Sequence, residues 1–333
     1  MSSNITLDTL ITVPSEYMPD AIWNLSGCVW GWAPNAFILV VGIFGNVKGR
    51  FKHSILGMSI CQMYATVTQT VLYSVYIYLE THQIKMTVLT CSIPRRILQQ
   101  TMNVALLSLF ILSIDRYLAI IWGKILNVPA LVFLFSLPAV YAHGIYNTLT
   151  LAPMELGTSD MCGPCLKMPK QISYYLEPIP PICLALAILI NMRILWFLFR
   201  YNNNKKNRKS STVYTKREIN DMKHAMIGVM LQACIPMIFN MPQVINLAMY
   251  NVASKLRMSM DIWRVINGLN YFTLCLNPCV TLIFIKQFRI AALVFVGMRE
   301  SSSVVENSGK SVFRSRIQSM VVLPHTTTVK SHS

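Results

Sequence analysis

The sequence predicts an all-α membrane protein, a seven-transmembrane helix bundle followed by a short amphipathic helix on the membrane surface. Three observations carry that prediction. Of 333 residues, 54% are hydrophobic and only 13% charged, against about 25% charged in soluble domains. The mean hydropathy is +0.48. Apolar runs long enough to cross roughly 30 Å of hydrocarbon, at about 1.5 Å per helical residue, recur seven times along the chain. The formal charge of +16 does not indicate nucleic acid, because Lys and Arg cluster in short connections between apolar runs, where they set orientation in a bilayer.

Residues 1–28 read as an extracellular N-terminal segment. They lack a basic stretch followed by an apolar core, so no cleavable signal peptide is expected and the first span serves as its own anchor. Asn4-Ile5-Thr6 and Asn24-Leu25-Ser26 are glycosylation sequons, which makes Asn4 and Asn24 expected glycan sites. The bundle covers 29–287. Span one, 29–47, ends at Gly45-Asn46 and is followed by Lys48, Arg50, Lys52 and His53. Those cations place its end in the cytoplasm, so a multi-pass protein of the cell membrane with an extracellular N-terminus and a cytoplasmic C-terminus is expected.

Span two, 55–79, is rich in Tyr and Thr and has no acid before Glu80; Cys61, Gln62 and Tyr64 stand near its middle. Span three lies within 91–121. Its uncharged run, 97–114, ends at Asp115-Arg116-Tyr117, and the two adjacent charges are expected at the water interface, neutralising each other. Span four, 128–149, carries Pro129 and Pro138. The loop after it holds Cys162-Gly163-Pro164-Cys165, the sequence of a thioredoxin active site. Redox use needs the first cysteine at a helix N-terminus after a buried strand. No such frame is legible here.

Span five, 172–199, opens with prolines at 178, 180 and 181, and a basic connection, 200–224, leads to span six at 225–250. In Gln232-Ala233-Cys234-Ile235-Pro236, the proline removes an intrahelical hydrogen bond and is expected to form a hinge. Span seven, 265–285, carries Asn277-Pro278-Cys279-Val280-Thr281. Residues 288–299 read as the amphipathic surface helix, and 300–333, rich in Ser and Thr, as a disordered cytoplasmic tail. No His cluster or acid pair with metal-ligand spacing occurs inside the spans, so no metal, cofactor or enzymatic activity is expected.

Cys91 precedes Arg116 by 116 − 91 = 25 positions, and this interval on one span, with Pro236 and Asn277-Pro278, resembles the rhodopsin-like seven-helix G-protein-coupled receptors. The resemblance implies an extracellular ligand and a heterotrimeric G protein as partners. It makes Asp115, Arg116, Tyr117, Pro236, Asn277 and Pro278 coupling and switch residues, and it implies that Cys91 is bridged to Cys162 or Cys165. The remaining loop cysteine and Cys28 would then be free to form a second bridge. Phosphorylation of the tail would recruit an arrestin-like desensitising partner.

Several positions depart from the family. Span two lacks the acid of a conventional sodium site, and the tryptophan before Pro236 and the tyrosine of the last motif are absent. Asn46, the match to the family's asparagine in helix one, lies close to the basic turn. Lys216 replaces the acid at the foot of helix six, so it would repel Arg116 and weaken the resting lock, with Glu218 or Asp221 as substitutes. Gln-X-X-Ile-Pro with a second proline, Pro242, is similar to the sixth helix of nematode chemosensory receptors.

Leu98 stands where the family binds amines through an aspartate, and Tyr271 where retinal is bound through a lysine. The expected ligand pocket is Leu98, Gln99, Met102, Met237, Met241, Tyr271 and Phe272, which suits a small uncharged or acidic organic molecule. Arg95 and Arg96 would attract a carboxylate. A membrane transporter would show internal repeats and intramembrane charges; no repeat is obvious, and the core spans have almost no ionisable residues. A receptor-like protein that no longer signals is consistent with the departures.

Overall fold

The computed structural model describes residues 6–45, 47, 51–148, 155–160, 162–167, 175–207, 216–252 and 260–298. Nine α-helices occur among them: α1 (Met18–Phe44), α2 (Lys52–Thr81), α3 (Val88–Gln99), α4 (Thr101–Ile121), α5 (Val128–Ala139), α6 (Ile179–Asn207), α7 (Lys216–Val252), α8 (Met260–Phe284) and α9 (Lys286–Phe295). A π-helical stretch, Val140–Tyr146, continues α5. The described strands are minor: β1 (Leu10–Ile11) pairs antiparallel with β2 (Met86–Thr87), and β3 (Glu155–Asp160) with β4 (Gly163–Lys167).

Five segments are long and apolar enough to cross a membrane: Ser15–Phe44, Val88–Ile121, Val128–Tyr146, Ile179–Tyr201 and Asn220–Pro242. Arg264–Phe284 with Lys286–Phe295, bent by 93°, makes a sixth. By helix length and hydropathy the chain is a multi-pass membrane protein. The 30-residue α2 is more polar than these, yet it packs against both α1 and α4.

Local chemistry starts and stops these helices. Thr87 caps α3 by accepting from the Thr90 amide at 3.1 Å, and Asn127 caps α5 by accepting from the Ala130 amide at 3.0 Å, with Pro129 in the first turn. Ile285 breaks α8 from α9 in an extended conformation, and the Arg289 guanidinium donates to the Ile283 carbonyl at 2.6 Å. α9 thus starts at Lys286, and one face of it, Phe288 and Ala292, is buried against Ile38, Val41 and Ile55.

The largest difference from expectation is the start of α1. A 3-10 turn at Ser15–Tyr17 and Pro19 in the first turn begin the helix at Met18 rather than near residue 29. Asn24, Gly27, Cys28, Gly31 and Asn35 fall on its buried face. A Cβ added at Gly27 would lie 3.0 Å from the Tyr271 Cβ, so the small residue allows α8 to approach. Asn24 is 2% exposed. A glycan on Asn24 is incompatible with that packing, which corrects the expectation for this sequon; Asn4 lies outside the described residues.

A disulfide joins Cys91 to Cys162. Cys28 is a buried free thiol on α1, so the second bridge expected for it does not form; the side chain of Cys165, in β4, lies outside what is described. Peptide mapping without reduction is expected to recover Cys91 linked to Cys162 and Cys28 as a thiol that alkylates only after unfolding. Cys28 in a bridge would contradict this arrangement.

Candidate functional site

The end of the bundle opposite the disulfide carries the Asp-Arg-Tyr sequence at the close of α4. Asp115 is 4% exposed and accepts a hydrogen bond from the Ser54 hydroxyl of α2 at 2.5 Å. Arg116 is fully buried, its guanidinium 3.5 Å from the centre of the Phe51 ring. These charges therefore do not stand at an open water interface, as the sequence suggested. The first turn of α2 covers them, through the ring of Phe51 and the hydroxyl of Ser54. Tyr117 is half-buried and packs against the cluster shared by α4, α5, α6 and α7.

At the foot of α7, Asp221 accepts from the Lys286 ammonium of α9 at 2.5 Å. Of the two acids that could substitute for Lys216, Asp221 thus engages α9. The side chains of Lys216 and Glu218 lie outside what is described. Both members of the Asp221–Lys286 pair are about a third exposed or more, at 42% and 32%. Solvent screening leaves such a pair about 0–1 kcal/mol.

Halfway along the bundle, two proline-bearing helices are tied by one amide. The Gln232 side chain of α7 donates to the Thr281 hydroxyl at 2.6 Å and to the Asn277 carbonyl at 2.8 Å, and Thr281 itself donates to that carbonyl at 3.2 Å. Gln232 and Thr281 are both fully buried. Thr281 occupies the position where the resemblance implies a tyrosine, so a short hydroxyl closes a direct bridge between α7 and α8. Within the pentapeptide ending in Pro236, the side chain that ties α7 to α8 is Gln232.

Pro278 lacks the amide that would bond the Leu274 carbonyl, four residues earlier. The Asn35 side chain of α1 donates to that carbonyl at 2.8 Å and to the Gly31 carbonyl at 2.9 Å. Asn35 thus ties the first span to α8; Asn46, the match to the family's asparagine, lies outside the described residues. Gln62 is buried on α2, and neither atom of its amide meets a hydrogen-bond partner among the described residues. A neutral amide thus stands in the core of the second helix, where a cation site of the family's kind would need a carboxylate.

The expected ligand pocket is only partly assembled. Leu98, Met102 and Tyr271 belong to one cluster beneath the disulfide, with Tyr73, Tyr76 and Cys28. The Tyr73 and Tyr271 hydroxyls are hydrogen-bonded at 2.5 Å, and the Gln99 carbonyl accepts from the Gln69 amide of α2 at 3.3 Å. The other three members point elsewhere. Phe272 packs its ring edge-on to Trp23 of α1, at 5.9 Å; adjacent helical residues project about 100° apart, so Phe272 cannot share the inward direction of Tyr271. Met237 packs against the cluster between α4 and α7, and Met241 is 41% exposed on the outside of the bundle.

No protein-family profile and no curated protein matches the chain's sequence.

Two substitutions test the core bridges. Gln232→Leu and Asn35→Leu each strip a donor from buried acceptors, and each is expected to destabilise the purified protein by about 1–2 kcal/mol in thermal unfolding. In the same assay, replacing choline chloride by sodium chloride is expected to leave the native chain's melting temperature unchanged, and Gln62→Asp to make it sodium-dependent.

Proposed function

We propose that the chain is a G-protein-coupled receptor of the rhodopsin-like kind. Its N-terminus is extracellular, and it binds a small uncharged or acidic organic ligand and activates a heterotrimeric G protein. The observation that carries this reading is the helix formed by α3 and α4, with the disulfide of Cys91 at one end and buried Asp115-Arg116 at the other. The bilayer is spanned seven times if α2, sandwiched between α1 and α4, is counted with the six apolar segments. The cations after α1 and in the connection between α6 and α7 put the Arg116 end in the cytoplasm.

Ligand enters near Tyr73, Leu98, Met102 and Tyr271, where two hydroxyls and an apolar wall suit a neutral or carboxylate-bearing molecule better than an amine. It acts by binding one of two packings better than the other. Movement of α7 about Pro236 separates Asp221 from Lys286 and, with a shift of the Phe51 and Ser54 cover over Asp115-Arg116, opens a cleft for the G protein. The similarity of α7 to nematode chemosensory receptors favours odorant-like ligands. The Gln232 bridge across α7 and α8 favours one second reading, a receptor-like protein held in a single packing that does not signal.

The test compares the native chain with Arg116→Ala at matched surface expression, recording basal and extract-stimulated G-protein activation. The receptor reading expects signal from the native chain that is lost in the variant; silence from both supports the non-signalling reading. Lys286→Glu removes the tie at the foot of α7 and is expected to raise basal activation, by up to about fivefold for a pair worth about 1 kcal/mol.

A further inference from the structure

The outer face of α6 carries charges that no acid among the described residues neutralises. Ile179–Tyr201 has a mean hydropathy of 2.3, and Ile179–Asn207 contains no acidic residue. Yet Arg193 and Arg200 stand on its exposed side with Trp196, itself 49% exposed, between them. Their guanidinium carbons lie 4.7 Å and 5.4 Å from the Trp196 ring centre. Beside them the Lys223 ammonium of α7 lies 3.9 Å from the ring of exposed Phe199. Three cations and two aromatic rings thus alternate across the α6–α7 flank.

Depth makes this arrangement unusual. Asn191 of α6 donates to the Ser113 hydroxyl of α4 at 3.0 Å, which fixes the two helices in register. Arg200 is then level with the end of α4 at Ile121, and Arg193 lies about 10 Å further into the apolar layer, seven residues at about 1.5 Å each. A lipid-facing cation at that depth is costly unless it reaches the headgroups or meets a counter-charge. Stacking on an indole recovers part of that cost but brings no full negative charge. Among the described residues neither arginine forms an ion pair, and Asp221, on the neighbouring helix, is engaged by Lys286.

We infer that Arg193, Trp196 and Arg200, flanked by Phe199 and Lys223, hold the headgroup of an anionic phospholipid in the leaflet at the Arg116 end, its acyl chains lying along α6. The lipid's phosphate supplies the counter-charge, the indole sits at the headgroup boundary where Trp is favoured, and the apolar stripe of Leu186, Leu189 and Met192, exposed above the cluster, receives the chains. In the orientation proposed above this is the cytoplasmic leaflet, where anionic lipids concentrate. The inference needs only a membrane-spanning α6; it stands whether or not the chain signals.

The full-length protein in detergent is titrated with phosphatidylserine and, separately, phosphatidylcholine, and retained lipid is measured by native mass spectrometry. The double variant R193Q/R200Q is expected to lose about 30-fold in affinity for phosphatidylserine, equivalent to about 1 kcal/mol per cation near an anionic membrane surface. Its phosphatidylcholine binding should not change. Lys124→Gln, which removes an exposed cation stacked 5.6 Å from Trp122 in the turn after α4, at the same end of the bundle but not among the residues of the α6–α7 cluster, is expected to bind phosphatidylserine as the native chain does. Trp196→Leu, an apolar change on a lipid-facing surface, keeps the test open if the double variant misfolds, and is expected to weaken phosphatidylserine binding by about two- to fivefold. Unchanged phosphatidylserine affinity in these α6 variants would overturn the proposal. So would full displacement of the lipid by soluble glycerophosphoserine, which would make the site one for a free anion.

Discussion

Pro278 takes one hydrogen bond out of the middle of α8, and inside a membrane only the protein can replace it. Asn35 does so, reaching from α1 to the Leu274 carbonyl at 2.8 Å. The reach is short because Gly27 and Gly31 let α8 lie close against α1. That contact in turn fixes which face of α8 turns inward, and hence which residues face the other helices. Tyr271 meets Tyr73 of α2, and Thr281 with the Asn277 carbonyl meets Gln232 of α7. A single missing amide hydrogen therefore organises contacts from α1 to α7.

The strength of the ties varies along α7 in a way that bears on motion. At mid-height Gln232 makes two buried hydrogen bonds to α8. At the foot the described tie is the half-exposed Asp221–Lys286 pair, which solvent weakens. Pro236 lies four residues beyond Gln232, on the side of the disulfide. A helix held firmly in the middle and loosely at one end moves at that end first, and the loose end is the one beside Arg116. Arg116 itself is covered by Phe51 at the start of α2, so its release in the proposed mechanism needs that ring to shift as well.

The helical membrane character was legible because composition and run length alone demand it. α2 forms a 30-residue helix over the expected second span, though its hydropathy falls short of the other spans. The start of α1 was not legible, since Asn24, Ser26 and Cys28 read as a polar lead-in, and only the structure shows Asn24 and Cys28 on the face packed inside. Asn35 was hidden within an apolar run after Pro34, while Gly45-Asn46 offered a more familiar pattern. Side-chain direction was the other blind spot. Phe272 and Met241 are on the expected helices but point to α1 and outward, and the pairing of Gln232 with Thr281 joins residues 49 apart in sequence. The Arg193, Trp196 and Arg200 stripe is visible as helical spacing, yet hydropathy averaging over α6 conceals it.

In the proposed mechanism α7 moves at its foot to admit a G protein. Spin labels at Lys124, after α4, and His224, on the exposed side of α7, report that movement directly in the purified full-length protein. Adding nucleotide-free heterotrimeric G protein is expected to lengthen the distance between the labels by about 5 Å or more, the scale of one helical turn. A distance distribution unchanged by saturating G protein would contradict it.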